Sequence, residues 1–127
     1  MSNTTLQPLT ICPWIYVLEC QPRQGTEYPS LYIGVSLDVH KRITQHMMGR
    51  GSRFTQLHKP VGVHAIHVNA EDNTEPVLQQ EKRITLELMR NHVQLYGEDA
   101  WRSVAGAGYS MPHQMAGKPR ELTQPSA

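Results

Sequence analysis

The chain has 127 residues, enough for one domain with an ordinary core and too few for two. Its 39% hydrophobic content and formal net charge of +1 exclude wholesale disorder and give no global pull toward a polyanion. No run reaches the ~18 apolar residues of a membrane-spanning helix, and MSNTTLQPLT lacks the basic start and apolar middle of a secretion signal. Cys12 and Cys20 lack the CxxC spacing of zinc and redox sites, so a reducing interior is the simpler home. The expected location is cytoplasmic with no membrane partner, for a cellular, phage or mobile-element protein.

Residues 1–13 end at a proline and read as an N-terminal arm. WIYVLEC, Trp14 to Cys20, is rich in β-branched and aromatic residues between Pro13 and QPRQG, and LYIGV, Leu31 to Val35, is similar. Both read as strands, paired antiparallel across a loop carrying proline and glycine. Ser36 is the expected cap of a first helix, with Asp38 in its first turn, where a carboxylate favours the helix dipole. Val39, Ile43 and Met47 then repeat every four residues as a core-facing stripe that ends near Gly49. GRGSRFTQLHKP is too polar and glycine-rich for a regular element and reads as a loop. VGVHAIHV, Val61 to Val68, is a third strand, on which His64 and His67 fall on opposite faces and so do not share a metal.

Charge is uneven along this path. Between Leu31 and Pro60 lie Lys41, Arg42, Arg50, Arg53 and Lys59 against the single acid Asp38, and His40, His46 and His58 add potential charge. Such a segment either tracks a DNA backbone through Lys41, Arg50, Arg53 and Lys59, with Phe54 as a wedge or stacking surface, or is a solvated loop with Phe54 tucked inward.

A second helix, Pro76 to Leu95 with Asn73 or Thr74 as cap, carries an internal conflict. Val77, Ile84, Leu88 and Leu95 form one apolar stripe, and Glu81 falls on it. Burying an unpaired carboxylate costs several kcal/mol or forces protonation, so such a residue calls for a cation or metal, unless the stripe is ragged there and Glu81 bends to solvent. Beyond Gly97 the chain reads EDAWRSVAGAGYS, with Trp101 a core or lid residue, and the tail 111–127 is expected to be frayed and flexible.

Arg42 and His46 are four apart and project from one side of the first helix, about 6 Å apart along its axis, a pair of nitrogen donors that suits a phosphate. Tyr16 and Tyr32 lie on adjacent strands. A phenol with a pKa near 10 is ordinarily a core residue, but a neighbouring cation can lower that pKa until it accepts a proton from water.

WIY at Trp14 to Tyr16, YIG at Tyr32 to Gly34, Arg42, His46, Glu81 and the closing SVAGAGY, taken in this order, resemble the GIY-YIG nuclease family. The resemblance covers residues 14–110 and implies an α+β fold, a small three-stranded antiparallel sheet flanked by helices, which agrees with the element order read above. It also implies a phosphodiester-hydrolysing DNA endonuclease. Tyr16 and Tyr32 would be the paired tyrosines, Tyr16 the general base toward water with help from His46, and Arg42 would hold the scissile phosphate. Glu81 would bind one divalent ion, magnesium or manganese. Trp14 stands where the family has its first glycine, Val35 where some members have lysine, and Ser103 where an asparagine usually precedes the closing segment, leaving Ser103 as the candidate donor there. The rival readings are a catalytically weakened DNA-binding subunit that keeps the fold and a protein-interaction domain. DNA is the expected partner, with a specificity-providing protein or a second copy as further partners.

Overall fold

A computed structural model describes residues 13–68 and 75–123. The chain is α+β: a small four-stranded sheet in the order β3-β1-β2-β4, flanked by helices. Strand β1, Trp14–Cys20, pairs antiparallel with β2, Ser30–Ser36, on one side and with β3, Pro60–Val68, on the other. These are the three expected strands. The glycine-rich finish adds a fourth, β4, Val104–Gly106, which lies parallel to β2.

Period-two alternation divides the side chains of β1 and β2 between two layers. Ile15, Val17, Leu31 and Ile33 pack against Ile84 and Met89 of α3, Val77–Tyr96, together with Trp101 and Val104. Tyr16, Leu18 and Cys20 point the other way, with Tyr32, under Val39 and Ile43 of α1, Val39–Met47. Trp101 is thus a core residue rather than a lid, and the Arg102 guanidinium covers its ring at 4.5 Å.

Several expectations change. Asp38, not Ser36, caps α1, because its carboxylate accepts the Lys41 amide at 3.0 Å. Met47 does not complete the stripe: it is 41% exposed, and His46 is the buried residue of that turn. The segment 49–60 holds a short helix, α2, Arg53–Leu57, capped by Ser52, and Phe54 is buried inside it rather than free to wedge. On α3 the apolar stripe fails at Leu95, which is 70% exposed. Pro76 stands just before the helix, without a side-chain cap; Asn73 and Thr74 lie outside the described residues, as does Cys12. His64 sits at a bulge in the β1–β3 ladder, and both it and His67 are exposed.

The described part of the tail is packed down. Pro112 is buried, Arg102 donates to the Pro112 and Met115 carbonyls, Lys82 pairs with Glu121 at 3.0 Å, and Leu122 lies against the core. Arginine donors satisfy carbonyls that would otherwise keep this polar segment in water.

Candidate active site

The layer under α1 and α2 is unusually polar at its centre. Tyr16 is 1% exposed, and its Oη lies 2.8 Å from Nε2 of the fully buried His46. Tyr32 comes beside them, with its ring centroid 6.4 Å from Tyr16 and 5.0 Å from His46. Strand pairing places both phenols on one face, because Tyr16 faces Gly34 and Tyr32 faces Leu18 across the ladder. Gly34 has to be glycine here: a Cβ on it would overlap the Tyr16 hydroxyl and ring. Gly51 serves His46 in the same way, since a Cβ there would overlap the imidazole.

Helix α1 supplies the cation. Arg42 precedes His46 by one turn, donates to Gln45 Oε1 at 2.9 Å and lies close enough for its charge to act on the Tyr16 phenol. Burial pushes the Tyr16 phenol well above its ordinary range, with Tyr32 adding to the shift, and outweighs the pull of Arg42 in the other direction. Burial likewise raises Tyr32, opposed by the nearby Ser52 hydroxyl and by the charge of Arg42. His46 is held down to about 4, first by burial and then by the charge of Arg42. At neutral pH the centre therefore contains two neutral phenols, one neutral imidazole and one guanidinium.

Glu81 reaches this region from α3. It is half-buried, and it lines a cleft of about 220 Å³ with Tyr32, Ser52, Arg53, Phe54, Gly106 and others. Its Oε2 accepts the Ala107 amide at 3.2 Å. That amide is aimed by the turn after β4: Gly106, at φ +155°, lies against Ile33 and Thr85 where a Cβ would not fit, and Ala107 follows at φ +52°. Burial raises the Glu81 carboxyl and the Ala107 hydrogen bond only partly offsets it. The conflict seen on the helix is thus met by one backbone donor, and among the described residues Glu81 makes no ion pair.

Among the described residues, no group of three or more histidine, cysteine, aspartate or glutamate side chains gathers to hold a metal. A lone carboxylate fits a hard divalent cation that keeps most of its waters, as magnesium does, and does not fit a closed zinc site. A cation beside Glu81 would also favour the charged forms of Tyr16, Tyr32 and Glu81, all three of which burial disfavours.

Of the residues singled out from the sequence, Tyr16, Tyr32, Arg42 and His46 come together, and Glu81 shares the cleft wall with Tyr32. Ser103 does not join them: it is fully buried and its hydroxyl accepts Arg23 Nε at 3.1 Å, an arginine that also reaches Tyr28 and the Asp99 carbonyl. Lys41, Arg50, Arg53 and Lys59 are exposed, with Arg53 on the cleft rim. Sequence reasoning missed Gly51, Ser52, Thr55 and Ala107. Ser52 was visible as a hydroxyl residue entering a short helical turn; Ala107 acts through its backbone and carries no side-chain signal.

The family model for the GIY-YIG catalytic domain matches residues 12–94, a span that holds both tyrosines, Arg42, His46 and Glu81. The chain belongs to the GIY-YIG family. It is therefore a member of a nuclease family, and its β4 turn with Ala107 lies beyond the matched span. A UPF0213 protein of Bacillus velezensis is 30% identical over 90 residues, covering 71% of this chain and 82% of the relative. One from Haloquadratum walsbyi is 30% identical over 71 residues, 56% of this chain and 71% of the relative. One from Cupriavidus pinatubonensis is 36% identical over 50 residues, 39% of this chain and 49% of the relative. The matched portion thus ranges from about half of a relative's length to about four-fifths. No solved structure matches the chain. No helix among the described residues is long and apolar enough to cross a membrane.

Proposed function

We propose that this GIY-YIG protein is a metal-dependent endonuclease that hydrolyses DNA phosphodiester bonds by a tyrosine-assisted attack of water. The observation that carries the proposal is the Tyr16–His46 hydrogen bond, sealed from solvent and flanked by Arg42 and Tyr32. A phenol raised above its ordinary pKa is not a ready-made base, so Tyr16 has to lose its own proton as it gains one. In this reading Tyr16 Oη takes a proton from the attacking water while its hydroxyl proton passes to His46 Nε2. A bound phosphodiester screens Arg42 from His46 and so makes the imidazole a better acceptor.

Arg42 holds the scissile phosphate and gains as charge builds on its oxygens. Glu81 would hold magnesium or manganese, which when bound would supply Lewis-acid polarisation of the phosphate and of the departing 3′ oxygen. The water oxygen bonds to phosphorus and the bond to the 3′ oxygen breaks, leaving a 3′ hydroxyl and a 5′ phosphate. Tyr32 packs beside Tyr16 and shapes the cleft. Lys41, Arg50, Arg53 and Lys59 follow the backbone on either side. Sequence selectivity comes from the chain's own loops or from a specificity-providing protein, or is absent, and a double-strand cut needs two copies or two visits.

Supercoiled plasmid incubated with the purified protein and magnesium should be nicked. Glu81→Ala and Tyr16→Phe should each slow nicking on the order of a hundredfold or more, and a chelator should stop it. Equal nicking by all three proteins would defeat the proposal, and salt-sensitive binding without nicking would mark a DNA-binding subunit instead.

A further inference from the structure

We propose that Thr55 is a positioning residue whose hydroxyl fixes His46 as its Nδ1–H tautomer, leaving Nε2 open to receive the Tyr16 proton. The inference rests on the proposed nuclease role of Tyr16, and it concerns a residue that segment 49–60, read as a basic loop, had hidden. Two short contacts frame His46. Nε2 is 2.8 Å from Tyr16 Oη, and Nδ1 is 2.8 Å from Thr55 Oγ1. A neutral imidazole carries one hydrogen, so the two nitrogens play opposite roles, and whatever occupies one decides the other.

The Thr55 hydroxyl also carries one hydrogen, and the Ser52 carbonyl stands 3.0 Å away to accept it. With its hydrogen spent there, Oγ1 faces Nδ1 as an acceptor. Nδ1 then bears the hydrogen, Nε2 is bare, and the Tyr16 hydroxyl donates to it. The opposite tautomer puts a hydrogen on Nε2, aimed at Tyr16 Oη. Among the described residues Tyr16 Oη has no second hydrogen-bond partner, so with a hydrogen on Nε2 the Tyr16 proton would be left without an acceptor inside a buried layer. A buried donor without an acceptor forfeits the hydrogen bond it would make to water in the unfolded chain. The Ser52 amide favours that opposite tautomer, but at 3.4 Å from Nδ1 it is the longest contact of the set.

The scaffold holds this arrangement in place. Thr55 is 1% exposed and lies in α2, whose cap Ser52 accepts the Thr55 amide at 3.2 Å, while Gly51 presses on the imidazole with no side chain between. The same turn touches both phenols: the Ser52 hydroxyl lies 3.2 Å from Thr55 Oγ1 and lines the cleft with Tyr32, and Thr55 acts on Tyr16 through His46. During the reaction the Tyr16 proton moves to Nε2, the other hydrogen stays on Nδ1 with Thr55 Oγ1 as its acceptor, and the imidazolium so formed has both hydrogens placed.

Nitrogen-15 NMR of the imidazoles in the full chain tests the assignment without any activity measurement. In the wild type His46 should carry its hydrogen on Nδ1. Thr55→Val, which keeps the shape and removes the hydroxyl, should shift the hydrogen wholly or partly to Nε2, and Thr55→Ser should restore the wild-type pattern. Plasmid nicking should fall on the order of a hundredfold in Thr55→Val and recover in Thr55→Ser, with salt-dependent DNA affinity unchanged. A wild-type hydrogen on Nε2, or a tautomer indifferent to Thr55→Val, overturns the proposal. A tautomer that switches as expected while nicking stays constant upholds the assignment to Thr55 and removes Tyr16 from the proton path.

Discussion

Two missing side chains shape the centre of the site as much as the groups that carry chemistry. Gly34 and Gly51 let the Tyr16 ring and the His46 imidazole lie directly against backbone. Gly34→Ala and Gly51→Ala should each lower stability by about 1–3 kcal/mol, as overpacking of a tight layer does, and should displace the Tyr16–His46 pair. Urea unfolding reads the first effect, and unchanged midpoints would show that the layer relaxes freely. The convergence of Tyr16, Tyr32, Arg42 and His46, with Glu81 on the cleft wall beside Tyr32, could be anticipated because strand alternation, helical spacing and the family resemblance all concern side chains. The place of Ser103 could not, because its position in a motif says nothing of Arg23, eighty residues away in the chain, which takes its hydroxyl. Ala107 was invisible for another reason: any residue type offers the same amide, and only the left-handed turn gives it direction.

At the scale of elements, strands and long helices announced themselves through period and punctuation, whereas α2 did not. Five residues are too few for a 3.6-residue period to repeat, and the flanking glycines and basic residues spoke for a loop. Yet this turn contributes Ser52, Phe54 and Thr55 inward and Arg53 outward. Ser52→Ala should remove the helix cap at a cost of about 1 kcal/mol and take away a hydroxyl that pulls the Tyr32 phenol down, which a tyrosine-absorbance titration would record as a higher phenol pKa. The outward cations belong to a different experiment. Alanine at Lys41, Arg50, Arg53 or Lys59 should weaken DNA binding uniformly across sequences and flatten its salt dependence by roughly one counterion for each phosphate no longer neutralised. A salt slope unchanged in all four variants would move the DNA path to another face.

Across the whole molecule, buried titratable groups set the acid limit of stability. His46 is held at about 4, and burial also lowers His58 and His92, so between the ordinary value of 6.5 and these lowered values the unfolded chain binds protons that the folded chain refuses. Stability should be full above pH 6.5 and fall as pH drops through that window, by roughly 3 kcal/mol for His46 alone. Glu81, raised rather than lowered, works in the opposite sense and trims the loss. Chemical denaturation at a series of pH values should show this decline, and a His46→Gln protein should show a shallower one. The same topology has a consequence for biosynthesis. Because β4 docks beside β2 from the far end of the described chain, and the Ala107 amide follows it, a nascent polypeptide leaving the ribosome has its tyrosines, arginine and histidine long before Glu81 is anchored. Translation itself therefore delays the last anchor of the candidate site until its other side chains have been synthesised.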